Sequence, residues 1–194
     1  MFRHNIVAVL YILVAIIIAQ ILIPETYDWV TNSISQLGAQ DYDQAWIMQA
    51  GFIGFGLILA FGIVKRLIKK QASWQSDVPL LIYTIAIIFT GVFQAKPFSA
   101  SDDYSIQEAK IHSGFAISAG LALSLSMFVY IFISKSQIEK VWHWIFMFLI
   151  MIFSMLFFMV KEYDGVIQRI LMLIGFIWLV FLYNKQKSDR ITKY

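Results

Sequence analysis

Six runs of apolar residues, at about 6–23, 45–64, 79–95, 109–133, 141–160 and 166–183, dominate this chain and leave it few folds to choose from. Most reach the ~20 residues that a helix needs to cross ~30 Å of hydrocarbon, and the third is the shortest. A continuous helix closes its own backbone hydrogen bonds, which lipid cannot do for it. The 194 residues are 60% hydrophobic and 14% charged, with a mean hydropathy of +0.73. A soluble domain of this length has too little interior for that much apolar surface. The expectation is an all-α integral membrane protein: a six-transmembrane-helix bundle in a single membrane domain over 1–194. The first run follows Arg3 and shows no small-x-small cleavage pattern before Pro24, so it is expected to remain as a span. The chain has no cysteine, which excludes disulfides, thiolate metal sites and thiol nucleophiles.

Orientation follows from the Lys and Arg residues between the spans. One set of segments carries Arg3, Lys65, Arg66, Lys69, Lys70, Lys135, Lys140, Lys185, Lys187, Arg190 and Lys193, eleven of the fifteen basic residues. The opposite set holds Lys96, Lys110, Lys161 and Arg169, together with nine of the twelve acids. Both termini are therefore expected on the cytoplasmic side of the plasma membrane. Trp142, Trp144 and the inner Lys and Arg residues look like ordinary interface anchors, and the inner loops like plain basic connectors. No nucleic-acid partner is implied.

The outer loop 24–44 contains "TNSISQLGAQ", which predicts a single helical turn. Ser33 and Gln36 have capping-box spacing, and Gly38 is placed to end the turn in the left-handed conformation. Trp29, Val30, Ile34 and Leu37 are expected to rest on the bilayer surface as an amphipathic plug.

Polar side chains recur at one depth. Gln20, Gln49, Gln94, His112, Gln168 and Arg169 all fall near the outer ends of their spans, and five of the six spans contribute. Buried amides and charges are costly in lipid unless they face the bundle interior or a wet cavity. The belt is thus either an outward-opening polar pocket or interhelical glue, the latter worth ~0.6–2 kcal/mol per contact. Arg169 is suited by geometry to hold a phosphate or carboxylate. It is equally suited to snorkel, or to pair with Glu162, Asp164 or Glu25.

Ser105 and Glu108 also have capping-box spacing, so Glu108 either bonds back to the start of the fourth helix or serves His112, one turn on along the same face. A neutral imidazole with a carboxylate four residues before it is a candidate general base, and His112 with Glu108 form the candidate catalytic pair. Ser33 and Ser35 lie on the same side of the membrane, without a nucleophile-elbow pattern around them, and Ser113 points about 100° away from His112. Asp102, Asp103, Glu108 and His112 make a weak oxygen-rich metal alternative; His4 and His143 belong to the other side. No cofactor is expected. Met147, Met151, Met155 and Met159 recur at four-residue spacing on the fifth span and predict a soft packing ridge, or a groove for an acyl chain.

"NSISQLGAQDYDQAWIMQAGFIGFGLILAFG" (32–62), "GVFQAKPF…IHSGFA" (91–116) and "GVIQRI" (165–170) resemble the three signatures of a bacterial and archaeal membrane family called domain of unknown function 998. That resemblance covers most of the chain and implies a six-helix membrane protein without established chemistry. Its layout is similar to eukaryotic membrane proteins of the autophagy-modulator and lipid-remodelling type, which implies lipids. The expected partner is a membrane lipid or amphiphilic small molecule, held by Arg169, Gln168, Gln94, Gln49, Gln20, Ser33, Ser35 and Lys96. The alternatives are a non-catalytic sensor or transport module, or a structural partner subunit. Whether a reaction occurs is left open, as is the oligomeric state.

Overall fold

The computed structural model describes residues 4–69, 74–98 and 103–191, with side chains as far as Leu182. Among these residues are six α-helices: α1 His4–Ile21, α2 Ala45–Ile68, α3 Trp74–Val92, α4 Ile106–Ile133, α5 Gln137–Met159 and α6 Asp164–Ile191. Two short 3-10 turns, Ile34–Gly38 and Lys161–Tyr163, lie in the connections after α1 and α5. Five helical stretches are long and apolar enough to cross a bilayer, ending with Lys161–Leu182. The apolar part of α3, Asp77–Val92, is shorter, about 24 Å at 1.5 Å per residue. Large apolar side chains face outward all round the bundle: Leu10 is 57% exposed, Leu57 54%, Leu121 68% and Met155 63%. Water would not tolerate such a coat over a whole fold, and lipid would. The helices are those of a multi-pass membrane protein.

Each helix packs antiparallel on its predecessor, and α6 returns to α1. Contacts between α1 and α2 set that register. A Cβ at Gly62 would stand 2.8 Å from His4 Cβ, and one at Gly51 2.8 Å from Ala15 Cβ. Gly51 lets α1 and α2 approach more closely than any larger residue allows. The ring closes where Asn5 Nδ2 donates to Leu179 O at 2.9 Å. Phe176 of α6 reaches across the interior to Phe55 of α2, with ring centroids 5.6 Å apart. The alternation puts the start of α2, α4 and α6 and the end of α1, α3 and α5 at one end of the bundle, called here the cap end. The start of α1 and the end of α6 lie toward the other, basic end.

Helix α3 ends at Val92 rather than at the expected 95, so Gln94 is not on a helix. The reason lies in the next residues. Lys96 precedes Pro97, which disfavours helical backbone, and Ala95 forms a parallel bridge with Ala39. Gln40 N donates to Ala95 O at 3.0 Å, and Ala95 N to Gly38 O at 3.3 Å. The strap 93–98 is thus tied to the loop after α1. Gly38 leads straight into this extended pairing, and among the described residues no glycine takes a left-handed φ; that conformation is adopted by Asp41, at φ 61°. The amphipathic plug is corrected as well. Ile34 is 4% exposed and Leu37 0%, because the turn is folded into the core and not laid on a surface; Trp29 alone of the four is strongly exposed, at 57%. On α5 the methionine ridge runs from buried Met147 to exposed Met151, Met155 and Met159.

The basic end is more than a set of connectors. Arg66 Nη2 donates to Asp77 Oδ1 at 3.0 Å, with the two side chains 6% and 0% exposed. Trp178 Nε1 donates to His143 Nδ1 at 3.0 Å in a fully buried contact between α6 and α5. Breaking a buried ion pair from one side leaves a charge without its counter-ion. Arg66→Met is expected to cost about 3–5 kcal/mol, read as a lower unfolding temperature in detergent micelles. Adding Asp77→Leu should recover most of that loss.

Candidate functional site

The cap is built from the loop after α1, the strap after α3, and the first turns of α4 and α6. Loop backbone that leaves a helix carries donors and acceptors with no ladder to join, so each must find a partner inside the chain or in water. Asp28 organises the start of the loop. Its Oδ1 accepts from Val30 N at 2.9 Å and its Oδ2 from Thr31 Oγ1 at 3.2 Å, while Asn32 Oδ1 accepts from Asp28 N at 2.8 Å. The 3-10 turn follows, with Gln36 Oε1 accepting from Ser33 N at 2.9 Å, the return half of the expected capping box. Gln36 Nε2 reaches on to Pro97 O at 3.3 Å.

Arg169 lies one turn inside α6. Its Nη1 donates to Trp29 O at 2.8 Å, Gly165 O at 2.8 Å and Asn32 O at 3.2 Å, and its Nη2 to Tyr27 Oη at 3.0 Å. The guanidinium also sits 5.9 Å from the Trp29 ring centroid. It pairs with none of Glu25, Glu162 or Asp164; Asp164 instead faces Lys161 at 3.5 Å, an ion pair whose lysine is 62% exposed and which contributes little. A fixed fork of donors is the group best able to gather several backbone carbonyls at once. Tyr27 completes the arrangement by donating toward Asn32 O and Ser33 O, each at 3.0 Å. Burial pushes its hydroxyl above the usual phenol range, against the pull of the hydrogen bond and charge of Arg169, so at neutral pH it remains a donor. Beside it, Gln168 Oε1 accepts from Ser35 N at 3.0 Å and Gln168 Nε2 lies 3.4 Å from Ser35 Oγ. The hydroxyls of Ser33 and Ser35 are 2.9 Å apart.

The second half of the cap surrounds the start of α4. Ser105 Oγ accepts from Glu108 N at 3.2 Å, as the spacing predicts. The reciprocal bond is made by another residue. Gln40 Oε1 accepts from Ser105 N at 2.8 Å while Gln40 Nε2 donates to Ser105 O at 3.1 Å. This leaves the Glu108 carboxylate for the strap, where Oε1 accepts from Gln94 N at 2.9 Å. One turn further, His112 is 4% exposed, and its Nδ1 lies 2.9 Å from Phe93 O. A carbonyl can only accept, so Nδ1 carries the proton and the neutral ring keeps its lone pair on Nε2. Among the described residues that nitrogen is buried and meets the geometry of no hydrogen bond.

The structure therefore brings Arg169, Gln168, Ser33 and Ser35 together on one side and Glu108, His112 and the backbone of Gln94 on the other, with Gln36 and Gln40 between them. Gln20 and Gln49 are half-buried and make no side-chain hydrogen bond among the described residues. Lys96 is exposed on the strap. Asp102 lies outside the described residues, and among the described residues no three His, Cys, Asp or Glu side chains gather as for a metal ion. Tyr27, Gln40 and Gly165 are members of the cap that residue spacing alone does not single out. A Cβ at Gly165 would collide with the carbonyl oxygens of Trp29, Asn32 and Val30, while Gly165 N itself donates to Val30 O at 2.9 Å. Two of these three, Gln40 and Gly165, stand within the quoted stretches 32–62 and 165–170, which is the signal the sequence offers for them.

The model of one protein family, described as "Protein of unknown function (DUF998)", matches residues 6–183. No curated protein and no solved structure matches the chain.

If Arg169 and Gly165 hold the loop, Arg169→Gln and Gly165→Ala should each destabilise the protein by about 1–3 kcal/mol. Amide exchange should accelerate at 27–35 in both variants and remain slow in the interior of α2, as followed by hydrogen–deuterium exchange mass spectrometry.

Proposed function

The chain belongs to the DUF998 family, whose description names no activity, and from its own geometry we propose that it is a non-catalytic membrane module closed on its outer face by the polar cap. It spans the plasma membrane six times with both termini in the cytoplasm. The distribution of basic residues supports that orientation, and so does the antiparallel alternation that carries the start of α1 and the end of α6 to the basic end. Helix α3 completes the sixth span when its polar first turn, Trp74–Ser76, is counted with the apolar part. In this reading the belt of polar groups is interhelical glue. The observation that carries it is the environment of Arg169, whose donors meet four oxygens of its own chain. A guanidinium so engaged is not waiting for a phosphate. The module acts through what it binds in the bilayer or through a partner subunit.

A second reading, the handling of an outer-leaflet lipid or amphiphile, is favoured by one specific observation. Among the described residues the buried Nε2 of His112 meets no donor, on a ring held by Phe93 O, which is the arrangement a general base needs. Glu108 then serves as a positioning residue through the strap at Gln94, and Gln20, Gln49 and Lys96 would border the entry.

Native mass spectrometry of the purified protein separates the two. Under the module reading, His112→Gln and Arg169→Gln lower thermal stability and leave the pattern of co-purifying lipids unchanged. Selective loss of one lipid from His112→Gln, at unchanged stability, would favour lipid handling. Orientation is tested independently, since the natural chain has no cysteine. A single Thr31→Cys should react with an impermeant maleimide on intact cells, and a single Lys135→Cys only after lysis.

A further inference from the structure

The last turn of α2 and the residue that caps it carry Lys65, Arg66 and Lys69 within five residues, and the structure divides their charges. Arg66 turns inward to Asp77. Lys65 and Lys69, four residues apart, share a different face with Phe61, Val64 and Ile68. These five residues, all from one helix end, border a shallow open groove of about 280 Å³ lined by hydrocarbon. Its apolar walls are open to the surroundings, with Phe61 61% exposed, Val64 41% and Ile68 76%. The position of Phe61 is set from behind by the His4 ring on α1, edge-on at 5.4 Å. Lys65 lies 5.7 Å from the Phe61 ring centroid. Among the described residues no carboxylate pairs with Lys65 or Lys69.

An apolar trough beside two lysines that meet no carboxylate among the described residues is complementary to one kind of molecule: an acyl chain with an anionic head. We infer that this groove is a binding site for an anionic phospholipid of the cytoplasmic leaflet, its chain along Phe61, Val64 and Ile68 and its phosphate between Lys65 and Lys69. This rests on the membrane reading above and names what the module binds. Snorkelling alone would place lysines at a helix end, but it would not place them over a trough. Nor would it require the third cation of the cluster to face away. A zwitterionic head group brings its own cation toward the two lysines and gains less. At ~1 kcal/mol per lysine near the surface, the two together correspond to about 30-fold preference for an anionic over a zwitterionic lipid of equal chain length.

The test is a native mass spectrometry titration of the full-length protein in detergent with phosphatidylglycerol and phosphatidylcholine carrying identical chains. The wild type should retain phosphatidylglycerol about 30-fold more tightly, and Lys65→Gln/Lys69→Gln should reduce that preference to near unity. Lys65→Arg/Lys69→Arg, which preserves the charges, should keep it. Val64→Trp, which fills the trough, should weaken retention of both lipids at this site. Lys135→Gln/Lys140→Gln, at the same end but off the groove, should change nothing. Displacement of the lipid by millimolar inorganic phosphate would show that a free anion suffices and would overturn the assignment. Equal retention of the two lipids by the wild type, or a preference that survives Lys65→Gln/Lys69→Gln, would overturn it while leaving the membrane reading intact. A protein that retains no lipid and stays monodisperse without detergent would remove both.

Discussion

Backbone amides and carbonyls that leave a helix at membrane depth must be paired within the chain, because hydrocarbon offers them nothing. The cap end follows from that requirement. Between Ile21 and Ala45 the chain runs for more than twenty residues without an α-helix, and the loop is folded in rather than extended into water. Its carbonyls at Trp29 and Asn32 are collected by Arg169, its amide at Ser35 by Gln168, and the first amide of the neighbouring helix by Gln40. Arg169 and Gln168 come from α6, Gln40 from the loop itself, and Glu108 of α4 holds the strap after α3, so the cap sets the mutual positions of α1, α3, α4 and α6 as well as satisfying the loop. Gly165 lets α6 approach near enough for this to happen.

The two ends of the bundle solve different problems with similar residues. At the cap end a cation is saturated by neutral oxygens and sits among polar backbone. At the basic end Arg66 meets the buried carboxylate of Asp77, and the lysines beside it remain on the outer surface. A buried charge pair fixes how α2 meets α3 but adds less net stability than its short distance implies, since both ions were desolvated to make it. Charges left outside are available to whatever surrounds the helix. In a bilayer, that is lipid head groups.

The helices were legible because a bilayer imposes length and composition directly on the sequence, and five of the expected spans lie within the observed helices or overrun an end by two residues at most. The third differs for a local reason: Lys96-Pro97 and the bridge at Ala95 unwind its last turn into a strap. Belt residues were legible by type and depth, but not by partner. Arg169 was read as a group for a ligand or an acid, and the structure gives it carbonyls. The Ser105–Glu108 spacing correctly announced a cap, yet Gln40, some sixty residues away in sequence, supplies the bond that Glu108 was expected to make. Ile34 and Leu37 had the pattern of a surface plug; burial put them in the core. Hydrophobic residues look alike whether lipid or protein covers them, so pattern alone does not separate these cases.

What the amino-acid sequence determined by itself is the apolar surroundings this protein is built for, the number of its helices among the described residues, and the end of the bundle at which its polar side chains gather. These are properties of single segments, and hydropathy acts on each segment separately. Tertiary structure decided which oxygen each donor meets. Hydrogen-bond partners such as Arg169 with Trp29 and Gln40 with Ser105 are separated by many tens of residues, and only the packing of helices against one another brings them within 3 Å.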